Sequence, residues 1–480
     1  MPALPPRLCA AASALALSAC VAGPPPEIAT PTPELPDTFF FAPSDTAKAE
    51  LAQLLPSGDP AFQSLSESAL KNAPSLAEAL ARIDAARAGA KGAGARRLPL
   101  VTGDASVTGT RINPNQFGDG AAQGGFIDTE QVQYGANIAA SWDVDLFGRL
   151  KAQERAAIAR IDSASASANA VRIALISEIA TSVIDWRTLT AREAELQSDV
   201  RAATQLANLA KTREDAGLSP GFDRVRAEAA ASASRSRLAA LENDRVRIIG
   251  RLVTLTGQPT GFINQALSTS ITLSDQRAPA PAALPSQLLA NRPDVLAASA
   301  ELAATDADLA ATARQRFPQF TLSAVLGLLA FNPADIFDED SLVGSLSAGL
   351  AAPLLDFGRI EAEIDGAAAN KRAAFAAYRG AVFQALGEAE TGYGLVEATD
   401  RQADLAGRER DELQRAARLA DTRYRAGLAD FLTVLEARRA ADDSGARAAI
   451  AAGEAQRARV LLWLALGGDQ PQSSIRSNSQ

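Results

Sequence analysis

The residues best equipped for chemistry lie in one short stretch, Asp430-Phe431-Leu432-Thr433-Val434-Leu435-Glu436-Ala437-Arg438-Arg439. In a helix Leu432 and Glu436 stand at i and i+4 on one face, with Arg439 one turn beyond Glu436. That face can offer an apolar group, a carboxylate and a guanidinium to a ligand or a passage. It can equally be Leu432 and Leu435 packed in a seam, with Glu436 and Arg439 a solvated pair contributing about 0.3 kcal/mol. What the chain lacks narrows the choice. It has no His, and its two Cys, Cys9 and Cys20, both lie within the first twenty positions. Zinc sites, Cys nucleophiles, Ser-His-Asp triads and a disulfide framework are thereby excluded from the body of the protein. There is no Gly-rich phosphate loop and no carboxylate pair in a recognisable site, so no catalysis, no metal and no cofactor are expected. Lys plus Arg number 47 against 56 Asp plus Glu, a net charge of −9, which excludes nucleic acid as the main partner.

The elements that position those residues begin after an export signal. Arg7 precedes an uncharged apolar run that ends in small residues and is too short to span a bilayer. Leu17-Ser18-Ala19-Cys20 resembles the lipobox of bacterial lipoproteins, which implies cleavage before Cys20 and acylation there. Val21, rather than Asp, follows it, so by the same resemblance the destination is the outer membrane. No other segment of transmembrane-helix length free of charges is expected. Pro24 to Pro26, Pro31, Pro33, Pro36 and Pro43 mark an extended tether.

The remainder repeats itself. Asn72-Ala73-Pro74 and Arg97-Leu98-Pro99 recur as Asn291-Arg292-Pro293 and Arg316-Phe317-Pro318. Phe147-Gly148-Arg149 recurs as Phe357-Gly358-Arg359, and Ala216-Gly217-Leu218 as Ala426-Gly427-Leu428. Each copy opens with a helical piece, about Asp59 to Arg96 and Asp294 to Arg316. Two strands with strict alternation follow. Val101, Gly103, Ala105, Val107 and Gly109 oppose Thr102, Asp104, Ser106, Thr108 and Thr110. The second strand sets Val132, Tyr134, Ala136, Ile138, Ala140 and Trp142 against Gln131, Gln133, Asn137 and Ser141. Asn113-Pro114-Asn115 and Gly118 to Gly125 form the loop between them. In the second copy Phe320 to Leu328 and Leu342 to Leu350 alternate in the same way. Asp104 and Asp119 are expected only to be wetted. Long Pro-free stretches, about Lys151 to Ala216 and Ile360 to Ala426, then predict helices about 100 Å long. Each stops at Ala-Gly-Leu, and a shorter helix returns, Asp223 to Leu255 and Asp430 to Leu466. In the first return, Leu238, Leu241, Ile248, Leu252 and Leu255 form a seam that Arg245 interrupts.

Four strands with one apolar and one polar face have no soluble sheet to pack against, and each is long enough to cross a bilayer when tilted. Membrane sheets must close, and the smallest barrels need about eight strands, so several chains must pool their hairpins.

Together, Asp145-Leu146-Phe147-Gly148-Arg149, Tyr424-Arg425-Ala426-Gly427 and Leu432-Thr433-Val434-Leu435-Glu436-Ala437 resemble outer-membrane factors of the TolC and OprM class, in the NodT-like lipoprotein branch of RND efflux systems. The resemblance implies an α+β membrane protein. Three copies would build a twelve-stranded β-barrel, four strands from each chain, continuous with a long α-helical barrel. It also implies an outer-membrane exit duct served by a periplasmic membrane-fusion adaptor and an inner-membrane RND pump. Alternative readings are a duct for metal-ion efflux or type I protein secretion, or, from another class, a lipid-anchored coiled-coil protein.

On this pattern the chain divides into a signal peptide (1–19), an acylated tether (20–58), a helical start (59–98), a first β-hairpin (99–148) and a periplasmic helical hairpin (149–256). An equatorial linker (257–293) leads to the second helical start (294–317), β-hairpin (318–357) and helical hairpin (358–466), with a disordered tail (467–480). By resemblance Leu432 matches an apolar plug at the periplasmic gate, Glu436 an acidic ring, where the family usually has Asp, and Arg439 a basic neighbour. Tyr424 matches a latch tyrosine whose hydroxyl bonds to the acidic position held by Asp223, although the accompanying Arg is replaced by Ala429. The turns Gly217-Leu218 and Gly427-Leu428 match the adaptor-docking points.

Overall fold

The computed structural model describes residues 27–43, 50–111, 130–269 and 277–468. The expected acylation site Cys20, the 113–125 loop with Asp119, and the tail beyond 468 lie outside the described residues. The chain forms two compact units. One comprises Met1–Pro31, Asp84–Asp162 and Ala300–Ala376, and the other Thr32–Ile83, Ser163–Ser299 and Ala377–Gln480.

In the first unit β1 (Leu100–Arg111), β2 (Glu130–Val144), β3 (Gln319–Ala330) and β4 (Leu342–Ala351) form one antiparallel sheet in the order β1-β2-β3-β4. Cross-strand partners share a face, so the register tests the alternation directly. Val107 pairs with Tyr134, Gly103 with Ile138 and Val101 with Ala140. Ile138 pairs with Leu326, Trp142 with Leu322, Ala324 with Leu346 and Phe320 with Leu350. A single apolar face thus runs across all four strands. The opposite face joins Asp104 to Asn137, Ser141 to Ser323, Asp143 to Thr321 and Ser323 to Ser347. There Asn137 Nδ2 donates to Asp104 Oδ2 at 3.4 Å and Thr321 Oγ1 to Asp143 Oδ1 at 3.0 Å. The apolar face is not covered: Val101, Val107, Ile138, Leu326, Leu342, Leu346 and Leu350 are all exposed. Neither edge strand, β1 or β4, has a partner on its outer side among the described residues.

The Phe-Gly-Arg motif, preceded by an Asp at Asp145 and Asp356, turns strand into helix. Asp145 accepts from the N–H groups of Leu150 (3.1 Å) and Lys151 (2.8 Å), and Asp356 accepts from Gly358 (3.2 Å) and Ile360 (2.8 Å). These carboxylates satisfy N–H groups that a helix start leaves free. The Ile360 and Gly358 amides hold the Asp356 carboxyl below its ordinary range. Gly148 and Gly358, at φ 76° and 87°, supply the left-handed backbone that lets the chain reverse.

Helices dominate the rest: α1 (Pro60–Asn72), α2 (Pro74–Ala95), α3 (Arg149–Asp215), α4 (Gly221–Thr256), α5 (Thr260–Leu267), α6 (Pro285–Asn291), α7 (Pro293–Ala313), α8 (Arg359–Arg425) and α9 (Phe431–Ala465). One expectation needs correction. The first helical piece is two helices, because Pro74 lacks an N–H and holds Ala73 extended at ψ 123°. The linker at 257–293 carries α5 and α6, each started by a proline at or just before its first turn. A window of α3 is long and apolar enough to cross a bilayer by length and composition, and half of it is buried by the chain itself. The proline-rich segment is pinned where it reaches α8: Phe39 packs on Tyr393 with ring centroids 5.3 Å apart, and the Phe40 and Phe41 amides donate to Glu390 at 2.8 and 3.2 Å.

The second unit holds most of the core. Leu65, Ile179, Val183, Leu241, Ile248, Leu252 and Ile263 form one buried cluster, and Phe39, Val382, Tyr393, Leu462 and Trp463 belong to another. Arg245, the polar interruption of the α4 seam, pairs with Glu193 and lies over the Trp186 ring, 5.6 Å from its centroid. Asp59 accepts from Ala61 N at 2.8 Å as the N-cap of α1 and also takes Arg187 at 2.8 and 3.1 Å in a buried pair. Replacing Arg187 by Met would leave the Asp59 charge buried and unpaired. The expected cost is about 3–5 kcal/mol, seen as a clearly lower midpoint of thermal unfolding, whereas Arg247→Met, at an exposed arginine, should leave the midpoint nearly unchanged.

Candidate functional site

The residues singled out from the sequence gather around the ends of α3 and α8 and the starts of α4 and α9, all within the second unit. The two turns there share one geometry. Leu218 N donates to Arg213 O (2.7 Å) and Gly217 N to Glu214 O (2.8 Å); Leu428 N donates to Arg423 O (2.8 Å) and Gly427 N to Tyr424 O (3.0 Å). This paired closure of a helix C-terminus needs left-handed backbone, provided by Gly217 at φ 69° and Gly427 at φ 74°. It leaves Leu218 and Leu428 standing in solvent at 77% and 70% exposure.

Asp430 starts α9 by accepting from Thr433 N at 2.7 Å, and that bond holds its carboxyl below the ordinary range. Phe431, Val434 and Leu435 then turn inward and pack with Leu206, Ala207, Ala210, Ala227 and Tyr424. The helical period therefore carries Leu432, Glu436 and Arg439 to a neighbouring, exposed face. Of the two leucines that could have formed a seam, Leu435 does and Leu432, 40% exposed, does not. Glu436 and Arg439 do not pair with each other and have no other ionic partner among the described residues.

Tyr424 is buried, at 2% exposure. Within the chain its hydroxyl makes no bond to Asp223, which lies partly buried in the first turn of α4. Arg213, near the end of α3, stacks over the Tyr424 ring at 4.1 Å from its centroid and donates Nη2 to the Tyr424 carbonyl at 3.0 Å. One guanidinium thus ties the first helical hairpin to the second by a cation–π contact and a charge-assisted hydrogen bond. Below it, Asp421 of α8 accepts from Arg425 and from Arg438 of α9, both at 2.8 Å. Burial pushes the Asp421 carboxyl up, but the Arg438 and Arg425 bonds outweigh it and hold the group below its ordinary range. Arg224 joins the end of α3 to the start of α4 through Glu214 at 2.6 Å. Sequence reading missed Arg213, Asp421 and Arg438, which join one helix to another; the only available signal was the basic and acidic residues crowding helix ends. No group of three or more His, Cys, Asp or Glu side chains is placed to hold a metal ion among the described residues.

The sequence and the fold have counterparts among known proteins. The model of the outer membrane efflux protein family matches residues 65–258 and 284–468. The pyoverdine export outer membrane protein OpmQ of Pseudomonas aeruginosa is 32% identical over 417 residues, covering 86% of each chain. Nodulation protein T of Rhizobium leguminosarum bv. trifolii is 26% identical over 94% of this chain and 95% of its own. The solved structure of the outer-membrane channel OprN superposes with a TM-score of 0.80 at 27% identity, over 93% of this chain and 99% of that one. The family model spans most of the chain and the Pseudomonas aeruginosa relative matches it along most of both sequences, and the chain accordingly belongs to the outer membrane efflux proteins, the TolC and OprM class of outer-membrane factors.

Proposed function

We propose that three copies of this chain close their hairpins into one twelve-stranded barrel in the outer membrane, continued by a barrel of helices in the periplasm. The duct passes small molecules outward from an inner-membrane RND pump and a periplasmic adaptor. The observation that carries this reading is the sheet: an exposed apolar face across all four strands, with outer edges unpaired among the described residues. Lipid would cover the face, and neighbouring copies would pair the edges, because backbone groups in a bilayer have no water to bond. The polar face, with Asp104, Asn137, Ser141, Asp143 and Thr321, then lines a wet lumen. Acylation of Cys20 would add a second hold on the membrane.

The exposed face of α9 supplies the gate. Three-fold symmetry would bring three Leu432 side chains together, closing a narrow passage by excluding water, and three Glu436 carboxylates that repel one another and draw in cations, with Arg439 beside them. Ions crossing a planar bilayer report this gate. Leu432→Ser or Glu436→Ala should raise single-channel conductance by roughly a factor of two or more; unchanged conductance in both would remove the gate assignment. The exposed turns at Gly217-Leu218 and Gly427-Leu428 are the docking points for the adaptor, supported by their matching geometry at the helix ends.

Tyr424 serves as the tip latch, with Asp223 as the acidic position opposite, and Arg213 is the contact that supports this reading within the chain. A latch made by the ring does not need the hydroxyl. Arg213→Ala should weaken the closed tip by about 1–2 kcal/mol and admit an otherwise excluded dye, while Tyr424→Phe stays tight. Leakage through Tyr424→Phe alone would return the latch to a hydroxyl bond with Asp223.

A further inference from the structure

Four arginines and two aspartates line a cavity of about 400 Å³ inside the second unit, between α3, α4 and α9. Asp185 and Arg192 stand two helical turns apart on α3, and Asp244 and Arg251 two turns apart on α4 with Arg247 between them, so each helix turns one face to the cavity. Arg457 lines it from α9. Its volume is that of a small-molecule site. Although the chain as a whole is acidic, with a net charge of −9, arginines outnumber carboxylates in this lining.

The two aspartates do not use up the guanidiniums. Arg457 Nη1 donates to Asp185 Oδ1, while Arg251 Nη1 lies 3.7 Å from Asp185 Oδ2, too far for a hydrogen bond. Arg247 stands exposed at the rim, with its Nη1 3.6 Å from Asp244 Oδ1. Arg192 has no hydrogen bond and no ion pair among the described residues, and its Nε is buried. Its acidic neighbours along α3 are engaged elsewhere: Glu193 pairs with Arg245, and Glu195 lies against Gly445 of α9. A buried N–H without an acceptor destabilises the fold, and an acceptor brought by a ligand removes that penalty.

We propose that this cavity binds a small multivalent oxyanion, a phosphate or a polycarboxylate, held by Arg192 together with Arg251 and Arg457. A guanidinium offers five N–H donors in a planar fork that matches the oxygens of such groups in pairs. Because α3 and α4 belong to the first helical hairpin and α9 to the second, the bound anion braces one hairpin against the other. A ligand bound by the folded chain and not by the unfolded one raises stability by mass action. The site is separate from the gate face of α9 and does not depend on the gate assignment.

The test uses the full-length protein, purified as its membrane assembly, with inorganic phosphate and citrate offered separately at an ionic strength held constant with sodium chloride. Calorimetry should show the wild type binding at least one of the two, and which one binds tells a phosphate site from a polycarboxylate site. At a ligand concentration about 100 times the dissociation constant, the midpoint of thermal unfolding should rise by about 3 °C. Arg192→Gln breaks no pair in the structure, so without ligand it should unfold at the wild-type midpoint or above it. Its affinity should fall about tenfold or more, and the ligand-induced rise should vanish. Arg192→Lys, which keeps the charge and loses the fork, should bind with intermediate affinity. Arg82→Gln, at an exposed arginine of α2, should bind as the wild type does. A wild type that binds neither anion would overturn the proposal, and so would an Arg192→Gln variant that binds as tightly as the wild type.

Discussion

Backbone hydrogen bonding at the two ends of a four-stranded sheet governs this protein. β1 and β4 are ordinary strands in every respect but one: their outer N–H and C=O groups have no partner among the described residues. In water such edges are tolerable, but beside an apolar face they are not, since a face that demands lipid removes the water that would satisfy the edge. Leu346 and Val107, exposed on the edge strands themselves, make the two demands coincide. Closure by further copies of the same hairpins meets both at once.

The helical part answers a different requirement. A duct must be stable along its length and yet yield at one end. The core around Trp463, Tyr393 and Leu252 is large and apolar, whereas at the tip a smaller apolar cluster around Phe431, Val434 and Leu435 is supplemented by polar ties: Arg213 on Tyr424, Asp421 on Arg438 and Arg425, and Arg224 on Glu214. Charge-assisted contacts of this kind are individually modest and reversible, unlike the burial of a dozen large side chains. The polar ties lie at the same end of the helical hairpins as the exposed Leu432 and Glu436.

Much of this was legible in the residues because the signals are local. Alternation with period two survives in the register strand by strand, so Val107 opposite Tyr134 and Ile138 opposite Leu326 follow from counting. The helix ends at Gly217 and Gly427 follow from the need for positive φ after a long Pro-free run. The break before Pro74 has a local cause as well, since proline restricts the residue that precedes it, yet the helical composition on both sides of it predicts one continuous piece. What could not be read joins residues far apart in sequence. Arg213 and Tyr424 are separated by 211 positions, and Arg187 and Asp59 by 128. In the sequence each arginine is one more charged residue on a helix. The contrast between Leu432 and Leu435 has the same origin: spacing puts them on neighbouring faces, and only packing decides which one is covered.

The central claim is that edges β1 and β4 pair between copies, and the chain is suited to testing it because no cysteine occurs after Cys20. Cysteines introduced singly along β1 and singly along β4, combined pairwise and oxidised in the membrane, report which chains the edges join. The account predicts register-dependent cross-links between different copies, giving a covalent product of three chains. Cross-links formed only within a single chain, or none at any register, would contradict it.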